Sequence, residues 1–166
     1  MKFNFKTTMI SCFVAYVVQA IVNNFIPLLF LTFQNNYGIP LSQITLLVTI
    51  NFGVQLLVDF LASKYVDKIG YRPCIVGAHI CSAAGLILLT VLPEIMSPFF
   101  GILISVITYA IGGGLIEVLI SPIMESCPTD NKETAMSLLH SFYCWGHVGV
   151  VLISTIFFQV AGIGTW

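Results

Sequence analysis

Apolar side chains run along this chain in long blocks separated by short polar breaks. Crossing the hydrocarbon core of a bilayer takes about 20 mainly apolar residues per helix. That rule marks spans at Met9–Phe33, Ser42–Ser63, Pro73–Leu92, Ser97–Met124 and Ala135–Val160. The breaks are Gln34 to Gly38, a basic hairpin over Asp59 to Pro73 that straddles the end of the second span, Pro93-Glu94, and Cys127 to Glu133. Unpaired backbone groups cannot rest in lipid, so the pattern predicts an all-α integral membrane bundle of five transmembrane helices.

Composition agrees. The chain is 58% hydrophobic and 8% charged, with mean hydropathy +1.00, whereas soluble domains carry charge on about a quarter of their residues. The six cations, Lys2, Lys6, Lys64, Lys68, Arg72 and Lys132, all fall in connections on one side of the five spans. The positive-inside rule then predicts a multi-pass protein of the cell membrane with a cytoplasmic N-terminus. The first apolar run reaches Phe33 without a small-residue cleavage site, so it reads as a retained span and not a signal peptide. Cys12, Cys74, Cys81, Cys127 and Cys144 form no Cys-x-x-Cys and read as packing residues. The sequence offers no basic face for nucleic acid, no Gly-x-Ser-x-Gly or His-Glu-x-x-His run and no cofactor motif, so neither an enzyme nor a cofactor is expected.

Polar residues within the spans are costly and therefore informative. Tyr16, Gln19, Asn23 and Pro27 follow at spacings of 3, 4 and 4 and share one helical face. Pro27 frees the carbonyl of Asn23 as an acceptor. The stripe either lines a cavity and meets a solute or bonds to another helix. In the second span Asn51, Gln55, Asp59, Ser63 and Asp67 recur every four residues. Asp59, placed one turn inside the cytoplasmic end, suits a structural or gate-forming ion pair better than a solute contact. His79 is expected as a neutral ring bonded to a backbone carbonyl.

The fourth span reads Gly112-Gly113-Gly114, then Glu117, then Ser121-Pro122. The glycines allow close approach of a helix or ligand, and an ionised carboxylate at this depth costs about 3 kcal/mol. Glu117 is thus a candidate proton-coupling group or a structural buried acid. His140, Cys144 and His147 share a face of the fifth span. His140 lies about as deep as Glu117 and the intervening loop is short, so the fourth and fifth spans are expected to be antiparallel neighbours with a Glu117–His140 proton relay. No second segment supplies further ligands, so no metal site is expected.

The run Ser63-x-x-x-Asp67-Lys68-x-Gly70-Tyr71-Arg72 resembles the loop between the second and third helices of the major facilitator superfamily, Gly-x-x-x-Asp-Arg/Lys-x-Gly-Arg/Lys-Arg/Lys. Ser63 stands for the first glycine and Tyr71 for the first closing cation. The resemblance implies a cytoplasmic gate of Asp59, Ser63, Asp67, Lys68, Gly70 and Arg72. Within it Asp67 docks on a helix N-terminus of the other half, Gly70 makes the turn and Arg72 pairs with carboxylates. Glu117-x-x-x-Ser121-Pro122 resembles Glu-x-x-x-Asn-Pro in the fourth helix of the fucose–proton symporter branch. Asn23 stands where that branch has an Asp. Gly146 and Gly149 occur without the proline of the antiporter signature Gly-x-x-x-Gly-Pro-x-x-Gly-Gly.

The resemblance implies secondary active, proton-coupled transport of a small solute, a sugar or similar, by alternating access. Tyr16, Gln19, Asn23, Glu117 and His147 would line the cavity. Family members carry two six-helix halves, so residues 1–166 are expected to be one N-terminal membrane bundle, part of a six-helix bundle of the facilitator fold and cut before its sixth helix near Trp166. The expected partners are lipid, solute, protons, and a missing C-terminal half or a second copy. The alternative is a non-transporting membrane fragment or an accessory protein that binds other helices.

Overall fold

A computed structural model describes residues 4–162; Lys2 and Trp166, used above as a topological anchor and a chain-end marker, lie outside the described residues. The chain forms α1 (Phe5–Leu28), α2 (Phe30–Tyr37), α3 (Leu41–Ile69), α4 (Tyr71–Ile95), α5 (Pro98–Ser126) and α6 (Lys132–Ala161). All but α2 are long and apolar enough to cross a membrane.

Two boundaries differ from the sequence reading. The first span is not one helix to Phe33. It ends at Leu28, one residue beyond Pro27, and Leu29 leaves helical geometry at ψ 6° before α2 resumes. The missing N–H of Pro27 explains a break at this point. Gly38 then stops α2 in the left-handed region at φ 63°, while the Ile39 N–H reaches back to the Phe33 carbonyl at 3.3 Å. The basic hairpin is also mostly helix. α3 continues through Lys64 and Lys68 to Ile69, and Gly70 at φ 97° makes the whole turn into α4. At 29 residues α3 is about 44 Å long, well beyond the ~30 Å hydrocarbon core. At the start of α6, Asn131 Oδ1 accepts the Thr134 N–H at 3.0 Å, satisfying a donor that the helix itself leaves open.

α5 is the central element. It is apolar around its circumference and more deeply buried than any other span, as expected of a helix packed on every side. α4 lies along it most extensively, α3 covers a second side and α1 a third. The close α4–α5 seam needs small residues. A Cβ on Gly85 of α4 would come within 2.6 Å of the Tyr109 Cβ, and one on Gly112 of α5 would strike the Ala78 carbonyl and the Ser82 backbone. α6 corrects the expectation that the last two spans are close neighbours: it packs chiefly on α1 and touches α5 only lightly.

The buried apolar residues divide into separate clusters. One joins Val22, Ile26, Leu29 and Phe33 to Leu47, Leu89, Ile102 and Tyr109. Another joins Cys12, Ala15 and Tyr16 to Ala78, Ile116, Ile120, Met124 and Leu139. Along α1 and α5, Gln19 and Gly113 fall between the two, so a polar layer is sandwiched between apolar ones.

Candidate functional site

That polar layer joins four helices. Gln55 of α3 donates from Nε2 to Asn23 Oδ1 of α1 at 2.8 Å and to Asn51 Oδ1 one turn back at 3.2 Å. Asn23 Nδ2 donates in turn to Tyr143 Oη of α6 at 3.2 Å. Gln19 Nε2 approaches Glu117 Oε2 of α5 at 3.4 Å. A turn nearer the second apolar cluster, Tyr16 Oη and Ser121 Oγ lie 3.0 Å apart. Gly113 makes room for this layer: a Cβ there would sit 3.2 Å from Gln19 Oε1 and 3.4 Å from Gln55 Nε2. Each bond between helices in such a setting contributes about 0.6 kcal/mol on average, but an amide left unpaired there costs several.

The sequence-predicted residues therefore separate. Tyr16, Gln19, Asn23 and Glu117 come together, with Tyr16 and Gln19 buried and Glu117 exposed on an open side of the bundle. The direct Glu117–His140 relay is not formed. α6 stands against α1, so the His140 ring lies against Tyr16 with centroids 5.7 Å apart, and no hydrogen bond joins His140 to Glu117 among the described residues. His147 is held by α1: its Nδ1 lies 2.9 Å from Asn24 Nδ2, which also donates to the Ala20 carbonyl at 2.7 Å. With the Asn24 amide nitrogen facing the Ala20 carbonyl, its second N–H is directed at His147 Nδ1, which accepts.

Of the proposed gate residues, Asp59 lies within α3, well before its C-terminal end. α3 runs a further ten residues to Ile69, about 15 Å. Its Oδ1 is buried without a hydrogen-bond partner. Ser63 Oγ donates to the Phe60 carbonyl at 2.8 Å, and Tyr71 Oη reaches Asp67 Oδ1 at 3.4 Å. Lys68 is exposed in the last turn of α3. Arg72 lines the end of a groove of about 780 Å³ between α1 and α4, walled by Cys12, Ile75 and Ile120. The lining of this groove is almost wholly apolar and carries neither Glu117 nor Gln19. His79 Nδ1 donates to the Ile75 carbonyl at 2.8 Å, the backbone bond expected of it. No group of three or more His, Cys, Asp or Glu side chains suited to a metal occurs among the described residues.

Sequence reasoning passed over Asn24 and Tyr143 as members of the site. Asn24 was hidden beside Asn23, although two adjacent amides in an apolar span serve two faces of one helix. Tyr143 lies three residues after His140 and four before His147, on the face that the histidines had already marked.

Membrane-length helices around a hydrogen-bonded polar layer define a multi-pass membrane protein built to hold polar groups inside a bilayer. The chain belongs to the Major Facilitator Superfamily, whose family model matches residues 8–166. Members of this family are membrane transporters and not enzymes. Neither the curated proteins nor the solved structures compared with the chain yield a match.

Proposed function

We propose that the protein is a secondary active transporter of a small polyhydroxylated solute, a sugar or a compound like it, coupled to protons through Glu117. The observation that carries this reading is the Gln19–Glu117 contact within a layer of amides, flanked on both sides by apolar clusters. Amides that both donate and accept, namely Gln19, Asn23 and Gln55, match the paired donor and acceptor of a hydroxyl. The Tyr16 and Tyr143 rings, packed edge to face with centroids 6.0 Å apart, supply an apolar wall. A carboxylate within a membrane span is costly without a partner, and an ion that arrives and leaves can supply one. Similarity of Glu117-x-x-x-Ser121-Pro122 to the fucose–proton symporter branch supports the same assignment.

In this reading the protein lies in the cell membrane with its N-terminus in the cytoplasm, and the open side that bears Glu117 faces a second helical bundle, from further chain or another copy. Rocking of the bundles exposes the polar layer to each side in turn. Asp67, Lys68 and Arg72, near the Gly70 turn, close the cytoplasmic side. His140, against Tyr16, and His147, through Asn24, support the helix that carries Tyr143. The test is uptake of radiolabelled sugars into proteoliposomes under an imposed pH gradient. Glu117→Gln should abolish uptake driven by the gradient while preserving exchange of internal for external solute. Gradient-driven uptake that survives this substitution would refute the coupling role.

A further inference from the structure

The groove of about 780 Å³ between α1 and α4 has Ile120 and Ile123 of α5 along its floor. Its walls are two helical stripes, Ile10 and Val14 on α1 and Val76 and Ile80 on α4. Ile10 is 61% exposed and Ile80 62%, so no element among the described residues covers the groove. Each stripe starts from a cation one turn earlier: Lys6 precedes Ile10 by four residues, and Arg72, which lines the groove itself, precedes Val76 by four. No Asp or Glu lines the groove, and the first turns of α1 and α4 contain no acid. The basic end adjoins a hollow of about 270 Å³ walled in part by the hydroxyl-bearing Thr8, Tyr71 and Ser126. Asp67 meets the Tyr71 hydroxyl at 3.4 Å but lines neither space.

Length selects the occupant. From Arg72 to Ala83, the last α4 residue along the groove, the helix rises about 16 Å. Half of the ~30 Å hydrocarbon core is about 15 Å, the reach of a single leaflet. A spanning helix needs the full thickness, about twice what the groove offers. We propose that the groove binds one anionic phospholipid from the leaflet at its basic end, with an acyl chain between α1 and α4 and the phosphate at Arg72 and Lys6. Basic pockets between membrane helices suit acidic lipid head groups, and long cationic side chains reach the interface while their stems stay in apolar surroundings. A chain in the groove meets α1, α4 and α5 on three sides, which separates this site from ordinary lipid contact on a convex helix face. The site requires only that α1 and α4 cross the bilayer, so it is independent of the transport reading. It turns Arg72 from the gate toward the lipid and leaves Asp67 and Lys68 at the Gly70 turn.

The test is native mass spectrometry of the purified protein in an uncharged detergent, with dioleoyl phosphatidylglycerol and dioleoyl phosphatidylcholine as the probes. One phosphatidylglycerol per chain should be retained in about 25-fold preference to phosphatidylcholine, and Arg72→Gln and Lys6→Gln should each cut that preference about fivefold. Ala83→Trp, at the exposed inner end of the groove, should abolish retention by filling the space for the chain. Lys132→Gln, exposed at the start of α6, should behave as the parent does. Should a cation variant fail to fold, the unaltered protein gives a second readout: its unfolding temperature should rise with phosphatidylglycerol and not with phosphatidylcholine, and high salt should remove the rise. Equal retention of the two lipids, a preference untouched by both cation variants, or retention that survives Ala83→Trp overturns the proposal. So does equal stabilisation by glycerol phosphate, which would leave an anion site without a chain, or a changed oligomeric state in Ala83→Trp, which would give the groove to a second copy. None of these outcomes involves solute uptake, which tests the transport reading separately.

Discussion

The three consecutive glycines of α5 face three different surroundings, so single alanine substitutions there should give three different results. A Cβ on Gly112 would meet the Ala78 carbonyl and lie 2.6 Å from the Ser82 backbone nitrogen, about 0.8 Å inside ordinary contact with main chain that cannot rotate away. α4 must then move off α5, and overpacking of this kind costs about 1–3 kcal/mol. A Cβ on Gly114 would touch Gln55 backbone and Val58 at 3.1 Å, so a shift of a few tenths of an ångström suffices. A Cβ on Gly113 would meet only side-chain atoms, Gln19 Oε1 at 3.2 Å, Val22 Cγ1 at 3.3 Å and Gln55 Nε2 at 3.4 Å. Replacing Gly by Ala also favours a helix by about 1 kcal/mol. With the clash on main chain, Gly112→Ala should keep a net cost of about 1–2 kcal/mol after that gain and lower the unfolding temperature by about 2–8 °C, Gly114→Ala should change it little, and Gly113→Ala should hold or raise it while disturbing the two amides and impairing transport. Thermal unfolding in detergent, followed by a thiol-reactive dye that reports exposure of the buried Cys12 and Cys127, measures the first two effects. Gly112→Ala as stable as the parent protein would refute the α4–α5 seam.

Gln55→Leu removes two hydrogen bonds and strands Asn23 Oδ1 and Asn51 Oδ1; it should cost about 1–3 kcal/mol in unfolding by detergent titration. A cost near zero would mean that the amide layer is not joined as described. Tyr37 lies outside the spans, and burial, followed by its hydrogen bond to Glu94, pushes its phenol up to about 12 from an ordinary value of 10. A raised folded-state value means stability that is whole below pH 10 and lost as pH climbs through 12. Tyr37→Phe should flatten that alkaline loss in thermal melts between pH 9 and about 12, and an unchanged alkaline profile would show that Glu94 does not hold this phenol.

The existence of the five spans was legible because the bilayer imposes one length and one polarity on every crossing, and the charged breaks left no other assignment. Their ends were less so. Amphipathic Asp59-to-Ile69 reads as a loop by hydropathy, yet its backbone groups are satisfied most cheaply by extending α3 into water until Gly70 permits the turn. Which helices touch was harder still. A short connection between α5 and α6 implies proximity of their ends alone, and α6 leans away to bury Gly146 against Val17 and Ala20 of α1. The Glu117–His140 relay failed for that reason. Tyr16, Gln19 and Asn23 were found from a single helical face because periodicity within one helix survives any arrangement of its neighbours. Their partners Gln55 and Tyr143 depend on how separate helices rotate against one another, which no local pattern records.

The two apolar clusters give the polar layer its consequence for motion. An amide chain from Asn51 through Gln55 and Asn23 to Tyr143 fixes the rotation of α3, α1 and α6 together, since turning any one of them strands an acceptor in a region where water does not replace it. Glu117 differs: it stands exposed at the edge of the layer, held by one long contact from Gln19. Rearrangement of the layer therefore costs least at Glu117 and most along the Asn23–Gln55 line. In the transport cycle proposed above, the bundle would move as a rigid body and exchange its cargo at the Glu117 side, a division that depends on Gln55 donating to two acceptors at once.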